Sequence, residues 1–195
     1  MDSPATERLS RYRTAPNALT LLRICLAPFL VAAILNSHYA LGFGLFVAAG
    51  LTDALDGLLA RLLKQRSVLG EYLDPVADKL LLSTLFLVLL HKGLMPTTVT
   101  VLVFGRDVGI LVVAAILHAA AGRREFNPSL LGKANTLAQV SAVAAVLLQQ
   151  LTSAQWVLVS RMVALDATIV LTVASGLHYA WLAARRVGVN GHIQK

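Results

Sequence analysis

Six long apolar stretches, near 18–36, 39–60, 72–91, 96–121, 131–150 and 156–184, take up most of a chain of 195 residues. A helix needs about 20 predominantly apolar residues to cross the hydrocarbon of a bilayer. The pattern therefore predicts an all-α fold, an integral membrane bundle of six transmembrane helices. Too little chain is left for a second soluble domain, so residues 1–195 are expected to form one membrane domain that opens with a polar segment at 1–17. That segment does not resemble a cleaved signal peptide, because Arg8, Arg11 and Arg13 come late and the apolar run from Ala18 is as long as a full span. Composition agrees: 57% of residues are apolar and 14% charged, against about 45–50% and about 25% in soluble domains. A single cysteine, Cys25, excludes an internal disulfide, and no basic run is interleaved with aromatics as in a nucleic-acid-binding domain.

The formal net charge of +7 comes from 17 Lys and Arg against 10 Asp and Glu. If the six stretches cross the membrane in turn, one side collects Arg8, Arg11, Arg13, Arg61, Lys64, Arg66, Arg123, Arg124, Lys133, Arg185, Arg186 and Lys195, while the other holds only Lys92. Arg23, Lys79, Arg106 and Arg161 lie within or near the edges of spans. Positive loops stay in the cytoplasm, so both termini and the loops around 61–71 and 122–133 are expected there, facing anionic lipid headgroups. No nucleic acid is needed to explain the charge. With no transit sequence in view, the expected host is a bacterial inner membrane.

Half of the acidic residues, Asp53, Asp56, Glu71, Asp74 and Asp78, fall between 53 and 78, at the cytoplasmic end of the second span and the start of the third. An Asp at mid-span costs about 2.5–3.5 kcal/mol on insertion scales, so such carboxylates must face a polar cavity and have partners. Asp53, Asp56, Gly57 and Ala60 are spaced 0, 3, 4 and 7, one stripe of a helix. Gly70, Asp74 and Asp78 are spaced 0, 4 and 8, a second stripe, and a short basic loop makes the two helices antiparallel neighbours. Four converging carboxylates repel one another unless cations neutralise them. Hard oxygen donors without Cys or His suit two Mg2+ or Mn2+ ions, a pair able to hold a diphosphate. Gly57, Ala60 and Gly70 lack bulk where a substrate would approach the backbone, and Arg61 can meet a phosphate oxygen.

These residues resemble the signature of the CDP-alcohol phosphatidyltransferases, D-x2-D-G-x2-A-R-x8-G-x3-D-x3-D, with no departure at any of its eight fixed positions: Asp53, Asp56, Gly57, Ala60, Arg61, Gly70, Asp74 and Asp78 complete it. Pro16-Asn17-x2-Thr20-x2-Arg23, Gly105-Arg106-Asp107 and Gly132-Lys133-x-Asn135-Thr136 extend the resemblance along nearly the whole chain. It implies that Asp53, Asp56, Asp74 and Asp78 bind two divalent cations, that Asp78 also serves as general base, and that Gly57, Ala60, Arg61 and Gly70 hold the CDP moiety. It further implies phosphatidyl transfer from CDP-diacylglycerol to a glycerol-type hydroxyl, with CMP released, by a homodimer among membrane lipids. Asn17, Arg23, Arg106, Asp107, Lys133 and Asn135 become candidates for binding the acceptor or its phosphate. Family members that use glycerol 3-phosphate tend to carry Gly-Arg-Glu and Gly-Lys-x-Lys-Thr where this chain has Asp107 and Asn135. With the Asn135-Thr136-x2-Gln139 run, these differences resemble the cardiolipin-synthase branch, whose acceptor is phosphatidylglycerol; glycerol 3-phosphate is the alternative.

Other readings compete with this one. The acids could be a charge network that only ties helices together, and Arg23, Arg106, Asp107 and Lys133 could make inter-helix ion pairs instead of holding phosphate. Arg161 and Asp166 suggest a structural or dimer-interface pair. An ion transporter would spread its carboxylates along a pathway, often across inverted repeats, and a prenyltransferase of the aspartate-rich type would need a second acidic motif. The five histidines stand at no ligand spacing and are expected to be interfacial or packed, and Cys25 packed. Gly105 and Gly109 form a pattern common in packed membrane helices.

Overall fold

The computed structural model describes residues 15–63, 68–121 and 130–190, with side chains placed over most of these. Among them the chain is entirely helical outside the turns: α1 (Ala15–Leu35), α2 (Tyr39–Leu63), α3 (Val68–His91), α4 (Thr97–Ala121), α5 (Leu130–Gln149) and α6 (Gln155–Asn190). The expected polar segment falls mostly outside the described residues. Each apolar stretch corresponds to one helix, but the helices run on where the loops were expected. α2 continues to Leu63, α3 starts at Val68, α5 starts at Leu130 and α6 reaches Asn190. Hydropathy marks where a segment leaves the lipid, whereas a helix ends only where its i→i−4 bonding stops, and charged residues do not stop it.

The helices fall into two compact units, one of α1 to α3 with residues 150–152 and one of α4 to α6. In the first, α1 packs against both α2 and α3, burying Leu30, Ala33 and Ile34 with Phe46, Ala49, Leu85, Phe86 and Leu89. The approach of α1 and α2 is tight at Gly42, where a Cβ would lie 3.1 Å from Ile34 Cγ1. α1 closes in a Schellman arrangement: His38 N donates to Ala33 O at 2.8 Å and Ser37 N to Ile34 O at 3.0 Å. Ser37 takes the left-handed position of that motif, at φ 61°. Lys92 Nζ donates to Leu35 O (3.2 Å) and Ser37 Oγ (2.8 Å), tying the end of α3 to that turn.

In the second unit α6 packs against both α4 and α5. Its core is built from Val99 and Val103 of α4, Ala138, Ala142, Val143, Ala145, Val146 and Leu147 of α5, and Val157 of α6. Small residues on α5 allow the close helix approach that packing in lipid rewards. Arg161 on α6 donates to the Leu94 carbonyl at 2.9 Å. The structural form of the expected Arg161–Asp166 pair is not made within the chain: Asp166 is exposed and Arg161 is turned toward the turn before α4, which leaves only the dimer-interface form. Five residues along a helix place two side chains about 140° apart, so the pair cannot close within one chain.

α5 is long and apolar enough to cross a membrane, and so is α6 over Gln155–Trp181. The outward face of α6 carries Val159, Met162, Val163, Val170, Val173 and Leu177, all exposed, with exposed Trp156 and Trp181 at its two ends. Those tryptophans stand about 37 Å apart along the axis, the separation of aromatic belts at the two membrane interfaces. Hydroxyl groups bond back to their own helices, as for Thr52 to Ala49 O, Thr84 to Leu80 O and Ser160 to Trp156 O, which satisfies them where no water is at hand. These are the features of a membrane protein.

Candidate active site

α2 is unbroken through 53–63 and α3 through 68–91, so both stripes of the acidic signature are realised on helices. The side chains of Asp56, Gly57, Ala60, Arg61, Gly70, Asp74 and Asp78 lie outside those described, and so does that of Asn17. Among the described side chains no three of His, Cys, Asp and Glu gather.

Asp53 shows the chemistry of its end of the stripe. It is 53% exposed, and Oδ1 accepts from the Arg23 guanidinium of α1 at 2.8 Å, with Arg23 only 3% exposed. At 53% exposure the carboxylate is a hard oxygen donor open to solvent beside a fixed positive charge. Burial of Arg23 makes the pair directional: the arginine cannot leave for water, whereas the carboxylate can accept a further cation.

The other candidates lie in the second unit and draw together around α6. Arg106 of α4 donates to Ser175 Oγ through Nε (3.0 Å) and Nη2 (2.7 Å), and to Asp107 Oδ1 through Nη1 (2.9 Å). Its guanidinium lies 5.8 Å from the centre of the Tyr179 ring, within cation–π range. Asn135 is fully buried, and its Oδ1 accepts from Thr172 Oγ1 at 2.9 Å. Lys133, two residues earlier, is exposed. Thr168, Thr172 and Ser175, each at most 2% exposed, form with Tyr179 a polar stripe at spacing 0, 4, 7 and 11 on α6. That periodicity was available in the sequence, but neutral hydroxyls hide inside an apolar run. Buried Gln139 belongs to the same region, one turn beyond Asn135 on α5.

The acidic signature thus lies on two continuous helices, with the buried Arg23 paired to its first carboxylate. The CDP-alcohol phosphatidyltransferase model matches residues 13–178, and the chain belongs to that family. Human cardiolipin synthase (CMP-forming) is 36% identical over 150 residues, 68% of this chain and 49% of that protein. The chain thus spans about half the length of the human relative, and much the same of the rat one. A probable phosphatidylglycerophosphate synthase of Mycobacterium tuberculosis is 33% identical over 186 residues, 92% of this chain and 86% of that protein. The CDP-diacylglycerol–glycerol-3-phosphate 3-phosphatidyltransferase of Bacillus subtilis is 33% identical over 181 residues, 84% and 92% respectively.

Proposed function

We propose that this chain transfers a phosphatidyl group from CDP-diacylglycerol to the hydroxyl of a glycerol-type acceptor and releases CMP. The observation that carries the reading is the complete eight-residue signature, from Asp53 to Asp78, on two continuous helices within the span of the family match. That match, over 13–178, also supports treating the chain as one catalytic domain. In this reading all six helices cross the membrane, with the basic loops and both termini cytoplasmic, in a bacterial inner membrane. The near-complete coverage of two bacterial relatives and the one-sided distribution of Lys and Arg support it.

Asp53, Asp56, Asp74 and Asp78 would hold two Mg2+ or Mn2+ ions; the half-exposed carboxylate of Asp53 fits such a ligand. When bound, the ions supply positive charge against the diphosphate of the donor. Gly57, Ala60, Arg61 and Gly70 bind the CDP moiety. Asp78 takes the proton from the acceptor hydroxyl. The oxygen so exposed forms a bond to the phosphorus that bears diacylglycerol, and the bond from that phosphorus to the CMP oxygen breaks. The acyl chains stay in the bilayer throughout.

The favoured acceptor is phosphatidylglycerol, because Asn135 stands where a further lysine would serve a dianion. Glycerol 3-phosphate is the second reading, favoured by the length of the match to the Bacillus subtilis relative. Purified protein given CDP-diacylglycerol, Mg2+ and acceptor is expected to release CMP, to stop on chelation and to resume when Mg2+ is restored. Asp78→Asn is expected to lower the rate by about 10²–10⁴-fold, the usual worth of a general base. A full rate in chelator, or in the variant, would overturn the mechanism.

A further inference from the structure

The first unit carries a cavity at the end away from the acidic signature. It measures about 560 Å3 and is lined by Ser37, His38, Tyr39 and Leu41 at the turn into α2, and by Gln150 and Leu151 after α5. Small-molecule sites measure about 300–1,000 Å3. Its walls offer donors that the fold does not use. Ser37 Oγ accepts from Lys92 Nζ at 2.8 Å and from Tyr39 OH at 3.5 Å, which leaves its own proton unspent. Lys92 gives a second N–H to Leu35 O at 3.2 Å, and an ammonium has three. Among the described residues the His38 ring and the Gln150 amide make no hydrogen bond, and both carry N–H groups.

Charge decides what such a set of donors can take. The turns at 36–38, 92–96 and 150–154 contain no Asp or Glu, and the Lys92 ammonium rests on a carbonyl and a hydroxyl, neither of which neutralises it. The fitting ligand supplies acceptor oxygens and one negative charge. A phosphodiester does both, whereas the ammonium of a zwitterionic headgroup finds Lys92 where it needs a carboxylate. Leu41 and Leu151, 57% and 42% exposed, give the same cavity an apolar side for the first methylenes of an acyl chain. In the proposed topology these residues stand where the spans leave the hydrocarbon, at the level of lipid headgroups.

We propose that this cavity binds the headgroup of an anionic phospholipid in the leaflet away from the acidic signature, with Lys92 as the charged contact and Ser37, His38 and Gln150 as hydrogen-bond donors. The site rests on the membrane-spanning part of the proposed function and not on the transfer reaction. Lys92 and Ser37 already tie the end of α3 to the turn that closes α1, so a lipid held there braces α1, α2 and α3 together and raises stability without entering catalysis.

The test uses the full chain in detergent, with melting temperature read against probe concentration. Three probes are compared: short-chain phosphatidylmethanol, a singly charged phosphodiester with no hydroxyl to accept a phosphatidyl group; phosphatidylcholine of the same chains, as the zwitterion; and inorganic phosphate, as the free anion. Phosphatidylmethanol is expected to raise the melting temperature of the wild type, and the other two to leave it unchanged. Lys92→Met, measured against its own lipid-free melting temperature, should need at least about fivefold more phosphatidylmethanol for a half-maximal shift. Lys92→Arg, which keeps the charge, should bring that concentration back to within about twofold of the wild type. Gln150→Leu leaves the Lys92 cap in place, so it is expected to melt with the wild type when lipid is absent and to respond more weakly when lipid is added. No shift in the wild type, an equal shift from phosphatidylcholine or from phosphate, or an unchanged response in both Lys92→Met and Gln150→Leu would each overturn the site. Failure of the transfer reading is seen separately, as wild-type protein that keeps the Lys92-dependent shift and releases no CMP with any acceptor.

Discussion

Lys92 was the one cation on the far side of the sequence's charge map, and the structure gives it a task there. Its ammonium bonds the Leu35 carbonyl and Ser37 Oγ, capping α1 at a turn where a serine occupies a conformation that glycine favours. A single positive residue kept against the topological bias is thus held by local hydrogen bonding. Lys92→Met is expected to cost about 1 kcal/mol, below the about 1.5–3 kcal/mol usual for bonds to a charged group because the site is partly solvated. A lower melting temperature with an unchanged rate of CMP release is the expected result. Arg23 shows what residue types alone leave open. Its position in the sequence allowed either a phosphate ligand or an ion-pair partner, and the choice depends on where α2 presents Asp53, a tertiary fact. In the structure it pairs with Asp53. If Asp53 also holds a cation, Asp53→Asn should raise the Mg2+ concentration for half-maximal rate by at least tenfold, measured by titrating the metal into CMP-release assays.

The helices themselves were legible to within a few residues, because about 20 apolar residues in a row have few alternatives in lipid. The helical setting of the acidic signature was legible for a different reason, since both of its halves keep helical spacing and fall on continuous helices. The polar contacts between helices were not. Asn135–Thr172 and Arg106–Ser175 join residues 37 and 69 apart in sequence, and nothing in hydropathy distinguishes a serine that faces lipid from one that faces an arginine. Inter-helix hydrogen bonds in membranes contribute about 0.6 kcal/mol, rarely above about 1.7. A double-mutant cycle on Asn135→Leu and Thr172→Val, read by unfolding in detergent, should return a coupling energy in that range. Ser175→Ala should cost more, since two donors of Arg106 lose their acceptor together.

At the scale of the whole molecule, low charge and one-sided charge have the same origin. The exposed apolar faces of α6, bounded by Trp156 and Trp181, need lipid around them, and in the proposed topology the basic residues gather where anionic headgroups attract them. With Cys25 replaced by Ser, an impermeant maleimide added to intact cells is expected to label Ser153→Cys and to leave Gln65→Cys unlabelled until lysis; the reverse pattern would invert the topology. The catalytic claim is tested most directly by product identity. Purified protein is supplied with CDP-diacylglycerol and Mg2+, with phosphatidylglycerol or glycerol 3-phosphate as acceptor, and the lipids are read by mass spectrometry. The account predicts cardiolipin and one CMP per cardiolipin with phosphatidylglycerol; unchanged CDP-diacylglycerol with both acceptors would contradict it.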